Sequence, residues 1–129
     1  MRPFACLLAA ALLAGCASIH LGTRFGGVTV EDGREGVATV EIENSGWFLF
    51  NFLPLGSGDP DNPGGSGLLF TDTVTLASNM KVLAQAMTDT GAKDFCNLTS
   101  HISEEHVFFV LLMRRCYHTS AVLLKEKKP

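Results

Sequence analysis

Val37-Ala38-Thr39-Val40-Glu41-Ile42-Glu43 alternates without a break. At two residues per repeat, Val37, Thr39, Glu41 and Glu43 share one face of a strand, and Ala38, Val40, Ile42 and Asn44 share the other. Two carboxylates on one side and branched aliphatics on the opposite side describe a sheet with one wet face and one covered face. Upstream, Asp32-Gly33 is a turn signal behind Val28-Thr29-Val30, so the run is the second strand of a hairpin.

Working toward the carboxy terminus, Leu76, Ala77, Met80, Leu83, Ala84 and Met87 recur at three-and-four spacing, the stripe of an amphipathic helix from about residue 73 to 90. Asp72 or Thr73 can cap its start, and Gly91 supplies its stop. Asp94 to Ser100 reads as a short strand and His101 to His106 as a polar turn. Val107-Phe108-Phe109-Val110-Leu111-Leu112-Met113 then reads as a central strand covered on both faces, running on through Leu124. Arg114 and Arg115, being adjacent on a strand, should point to opposite faces. The expectation is an α+β domain: a small, mostly antiparallel sheet of five or six strands with one helix packed on one face.

Two segments between the hairpin and the helix are distinctive. Trp47-Phe48-Leu49-Phe50-Asn51-Phe52-Leu53-Pro54-Leu55 holds the single tryptophan and no charge. It is either a strand buried on both faces that ends at Pro54, or an exposed aromatic patch in which Trp47, Phe48, Phe50 and Phe52 dock on a membrane interface or a partner. Residues 56–67, Gly-Ser-Gly-Asp-Pro-Asp-Asn-Pro-Gly-Gly-Ser-Gly, read as a mobile loop.

The amino terminus carries an address. One early positive charge at Arg2 precedes an apolar segment from Phe4 to Leu13, too short to span a bilayer, and then Leu13-Ala14-Gly15-Cys16. This order of an aliphatic residue, two small residues and a cysteine resembles the lipobox of bacterial lipoprotein precursors. The resemblance covers residues 1–16 and implies that residues 1–15 are a signal peptide and that Cys16 becomes the lipidated first residue. It further implies a lipid-anchored protein of the bacterial cell envelope with the membrane as partner. Ala17, where an aspartate signals inner-membrane retention in many such proteins, favours the outer membrane, facing the periplasm. Residues 16–27 then read as a lipidated tether, and 28–129 as one domain; the rest of the domain resembles small envelope lipoproteins only generically.

The formal charge of −3 has no basic patch to suit a nucleic acid. Of the four cysteines, Cys6 would leave with the signal and Cys16 would carry lipid. Cys96 and Cys116 remain, either as a disulfide in an oxidising compartment or as two buried thiols. No nucleophile elbow or phosphate loop is present, so no catalytic residues are assigned and no cofactor is expected; thiol chemistry would need an exposed Cys96 or Cys116 with a depressed pKa. The leading expectation is therefore a non-enzymatic binding or structural module that engages an envelope protein or the membrane. The alternative is a small-ligand or metal sensor in which His101, His106 and Glu105 converge around the 101–106 turn, since His, Glu and a tight turn can supply ligands from one short segment.

Overall fold

The alternating run is the middle of a 16-residue strand around which the sheet is built. The computed structural model describes residues 15–22, 29–30 and 33–126. The expected signal peptide, apart from Gly15, lies outside these residues, as do residues 23–27 of the expected tether. In order, the described elements are β1 (Ala17–Gly22), β2 (Thr29–Val30), β3 (Arg34–Leu49), β4 (Leu53–Ser57), β5 (Leu68–Leu69), α1 (Leu76–Thr90), β6 (Asp94–Phe108) and β7 (Leu112–Glu126). One sheet contains all seven strands, in the order β5-β4-β3-β7-β6, with β1 and β2 also paired to β3. Every pairing is antiparallel. The class is the expected α+β, with the sheet dominating the single described helix.

Strand β3 uses both edges. Along one it pairs with β7 from Arg34 opposite Glu126 to Leu49 opposite Leu112. The other is shared end to end by β2, β1 and β4. Residues 17–22 are therefore strand, not tether: Ala17 to Gly22 pair with Asn44 to Thr39, because the open edge of β3 offers unpaired N–H and C=O groups there.

Even-numbered residues of β3 face the helix, as the alternation requires. Val40 and Ile42 form the main core with Val82, Leu83 and Ala86 of α1 and Ala121 and Leu123 of β7. A second, smaller cluster of Phe48, Val74 and Met113, with Tyr117 against it, lies nearer the β3–β4 turn. Gly46 is needed between the clusters, since a Cβ there would sit 2.8 Å from Val74 and 3.0 Å from the Gly56 carbonyl.

The helix begins at Thr75, whose hydroxyl accepts from the Ser78 N–H at 3.2 Å, and ends at Gly91 in the left-handed region. Its buried stripe is Asn79, Val82, Leu83 and Ala86, rotated from the expected one so that Leu76, Ala77 and Ala84 are exposed. Asn79 explains the rotation: its amide donates to the Tyr117 carbonyl (3.0 Å) and to Thr119 Oγ1 (2.9 Å), so a polar side chain holds the centre of the interface.

The carboxy-terminal reading is corrected more strongly. Residues 101–106 are not a turn but the middle of β6, paired with β7 from His101 opposite His118 to His106 opposite Met113. The reversal falls instead inside the apolar run, at residues 109–111, so Val107, Phe109, Val110 and Leu111 are exposed while Met113 enters the core. The glycine-rich segment is also tied down. Residues 53–57 are β4, the Gly64 N–H donates to the Ala17 carbonyl at 2.7 Å, and Asp61 pairs with Lys81.

Candidate functional site

Two hairpin turns, β3–β4 and β6–β7, lie side by side at one end of the sheet because β3 and β7 are neighbours over their whole length. The Phe50 N–H donates to the Leu111 carbonyl at 2.9 Å, joining the two tips. Phe50 is 49% exposed, Phe52 75%, Phe109 88% and Val110 66%. Phe50 stacks on Phe52 with ring centroids 6.5 Å apart. Phe50, Asn51 and Phe109 all have positive φ, a conformation uncommon for bulky side chains, which the tight reversals impose. On the flank, Phe70 donates its N–H to the Leu55 carbonyl and is 73% exposed. The result is a charge-free, aromatic end on a domain whose other faces carry ion pairs, well beyond scattered surface leucines.

The four aromatic residues singled out from the sequence thus separate. Phe50 and Phe52 lie at the tip, whereas Trp47 is half-buried on the face away from the helix. Phe48 is a correction: only 1% exposed, it belongs to the core, with the Arg115 guanidinium 4.7 Å above its ring. Its even position on β3 points it to the helix side. Phe109 and Val110 join Phe50 and Phe52 at the tip, a correction to the expectation of a strand buried on both faces: the continuous apolar run 107–113 carries no polar residue that marks the reversal. Arg114 and Arg115 point to opposite faces as expected. Arg114 lies 3.7 Å from Glu43, and Arg115 donates to Glu104 at 2.9 Å.

Cys16 is exposed immediately before β1, and its carbonyl accepts from the Ser45 N–H at 2.8 Å. Since β1 runs antiparallel to β3, its first residue points toward the aromatic end. From Ser45 to Phe50 is five residues, about 16 Å of strand.

Cys96 and Cys116 are both free, and an internal disulfide between them is ruled out by register. Cys96 sits opposite Val122, six positions along β7 from Cys116. That separation is about 20 Å, against a limit of about 7 Å between bridged Cα atoms. The proposed convergence of His101, His106 and Glu105 fails for the same reason: on a strand, His101 and His106 face opposite sides, about 16 Å apart.

Cys116 is buried, and its thiol donates to Glu43 Oε1 at 3.2 Å. Burial pushes the thiol up to about 12, the Glu43 hydrogen bond and charge push the same way, and Arg114 opposes them. At pH 8 roughly one such thiol in ten thousand is ionised, the opposite of an activated nucleophile. Iodoacetamide at pH 8 should therefore leave Cys116 unmodified in the folded protein and label it in denaturant. Peptide mass analysis reads this out, and labelling of folded Cys116 at an ordinary thiol rate would contradict the placement.

No helix among the described residues is long and apolar enough to cross a membrane. Compared with known proteins, the chain matches no family model, no curated protein and no solved structure.

Proposed function

We propose that this chain is a lipid-anchored bacterial envelope protein, processed at Cys16 and destined for the outer membrane, whose domain works by non-enzymatic binding. Its binding surface is the aromatic end of the sheet, and the surface it meets is the membrane interface. The observation that carries the reading is the pair of hydrogen-bonded hairpin tips presenting Phe50, Phe52, Phe109 and Val110 to solvent. Convex tips with aromatic side chains suit insertion among lipid headgroups, where amphipathic and aromatic groups settle about 5–10 Å deep.

The position of Cys16 supports the same orientation. With residues 17–22 held in the sheet, a lipid on Cys16 would have no spacer to hold the domain away from the bilayer. Anchor and tips share one end of β3, and a sheet inclined to the membrane brings both to the interface despite the stagger of about 16 Å between them. Anchoring by lipid and docking by the tips are two signals of the kind that stable peripheral attachment requires.

The test uses residues 16–129, lacking both the lipid and the apolar segment Phe4 to Leu13, so that the tips are the only membrane contact. Flotation with vesicles of phosphatidylethanolamine and phosphatidylglycerol should recover the Cys16→Ala protein with the lipid. Adding Phe50→Ser, Phe52→Ser and Phe109→Ser should lower partitioning at least tenfold with no drop in melting temperature, because these side chains contribute little packing. Equal flotation of both proteins, or none of either, would remove the membrane from this reading.

A further inference from the structure

The face of the sheet away from the helix gathers metal-ligating side chains that lie far apart in the sequence. Glu43 on β3 is directly opposite His118 on β7, and Cys116 lies two positions from His118 on the same face. One ligand atom from each, a carboxylate oxygen, Sγ and a ring nitrogen, all fall within 4.8 Å of one another. Glu43 and His118 line two adjoining hollows of about 240 and about 250 Å³, so the cluster is reachable from solvent on both sides.

From this arrangement we propose that Glu43, Cys116 and His118 form a binding site for a divalent ion of the zinc class. Sulfur, imidazole and carboxylate together are the donor set of zinc and of cobalt(II), and unlike the ligands of magnesium or calcium they are not all oxygen. Donors around a tetrahedral zinc are about 3.3–3.8 Å apart at its usual bond lengths. The 3.2 Å Cys116–Glu43 contact is already there, and the remaining pairs need to close by about 1.5 Å at most. The ion would take the place of the thiol proton that now bridges Cys116 to Glu43, releasing one proton to solvent.

The surroundings are those of a metal site. Ser103 Oγ lies 3.4 Å from His118 Nε2 and can hold the ring nitrogen that does not ligate. His101 stacks on His118 with centroids 4.7 Å apart, limiting the ring's rotation. Arg114, 3.7 Å from Glu43 Oε1, is the one cation that competes for the carboxylate among these neighbours, and the second carboxylate oxygen is available to share between them. Three protein ligands leave a fourth position for water or for an incoming ligand.

Cobalt(II) titration of the purified protein reads the site directly. A stoichiometric thiolate-to-cobalt charge-transfer band with tetrahedral visible bands is expected, displaced by one equivalent of zinc. Cys116→Ser should abolish the charge-transfer band, while Cys96→Ser should leave it intact. Glu43→Gln and His118→Gln, both on the solvent-reached face and so compatible with folding, should each weaken cobalt binding at least tenfold. Absence of the band in the unaltered protein would overturn the proposal, as would its persistence in Cys116→Ser or undiminished affinity in either of the other two variants.

Discussion

Phe48→Ala should lower the stability of the folded domain by about 3–5 kcal/mol, whereas Phe52→Ala, four residues away, should change it by no more than about 0.5 kcal/mol. Both residues come from one uncharged aromatic segment, so composition gives no ground for the difference. Phe48 is 1% exposed and packs on Val74 and Met113, with Tyr117 against the cluster. Its removal opens a cavity in the smaller of the two cores and strips the apolar platform under the Arg115 guanidinium. That cluster is bounded by β3, β7 and the segment entering α1, whose backbone is fixed by sheet pairing on one side, so it has little means of collapsing around the void. Small domains have about 5–15 kcal/mol in total, so the variant should be measurably unfolded in mild denaturant. Phe52 at the tip is 75% exposed and loses only its stack on Phe50. Urea midpoints at unchanged slope measure both variants, and equal shifts would mean that the tip and the core have been assigned the wrong way round.

Cys16→Ala should abolish acylation and replace stable anchoring with the weaker attachment of the aromatic tips, so that most of the protein leaves the membrane fraction and the remainder is released by dilution of the lipid. Each buried methylene contributes about 0.8 kcal/mol, and although one acyl chain holds a protein only marginally, two or more hold it stably. No other single substitution should remove as much membrane affinity, since the exposed tips add only a second, weaker contact. The fold should be unaffected: Cys16 is exposed, and its hydrogen bonds to Ser45 include its backbone carbonyl, which alanine keeps. Intact mass of the membrane-extracted protein distinguishes the outcomes. A mass for the chain from residue 16 plus acyl groups, lost in the variant, is expected. An unmodified mass in both proteins would withdraw the lipid anchor and leave the aromatic tips as the sole membrane contact.

These two experiments bear on different parts of the molecule for a reason visible in its elements. Local pattern was a sound guide wherever a residue's surroundings repeat along the chain. The alternation through residues 37–43 assigned the faces of β3 correctly, Gly91 marked the end of α1, and adjacency placed Arg114 and Arg115 on opposite sides. It was a poor guide to the continuous apolar runs at 47–55 and 107–113. Neither run has a polar residue in alternation to say which side is wet, and each conceals a reversal of the chain, at residues 50–52 and 109–111. Nor did the stripe on α1 reveal Asn79 at its centre, because a buried amide is stable only when a specific carbonyl and hydroxyl on β7 receive it.

From its sequence alone, this protein's α+β class and the two-faced character of β3 follow, and residues 13–16 supply the expectation of an envelope address, because each rests on residues close together in the chain. Only the tertiary structure decided that Phe50, Phe52 and Phe109 meet at one exposed end, that Cys96 and Cys116 lie too far apart to bond, and that Glu43 meets Cys116 and His118. Those outcomes depend on the register between β3, β6 and β7, and a shift of one residue would turn every side chain of a strand to the opposite face. Register is set by the summed pairing and packing of whole strands, a property that no short stretch of sequence contains.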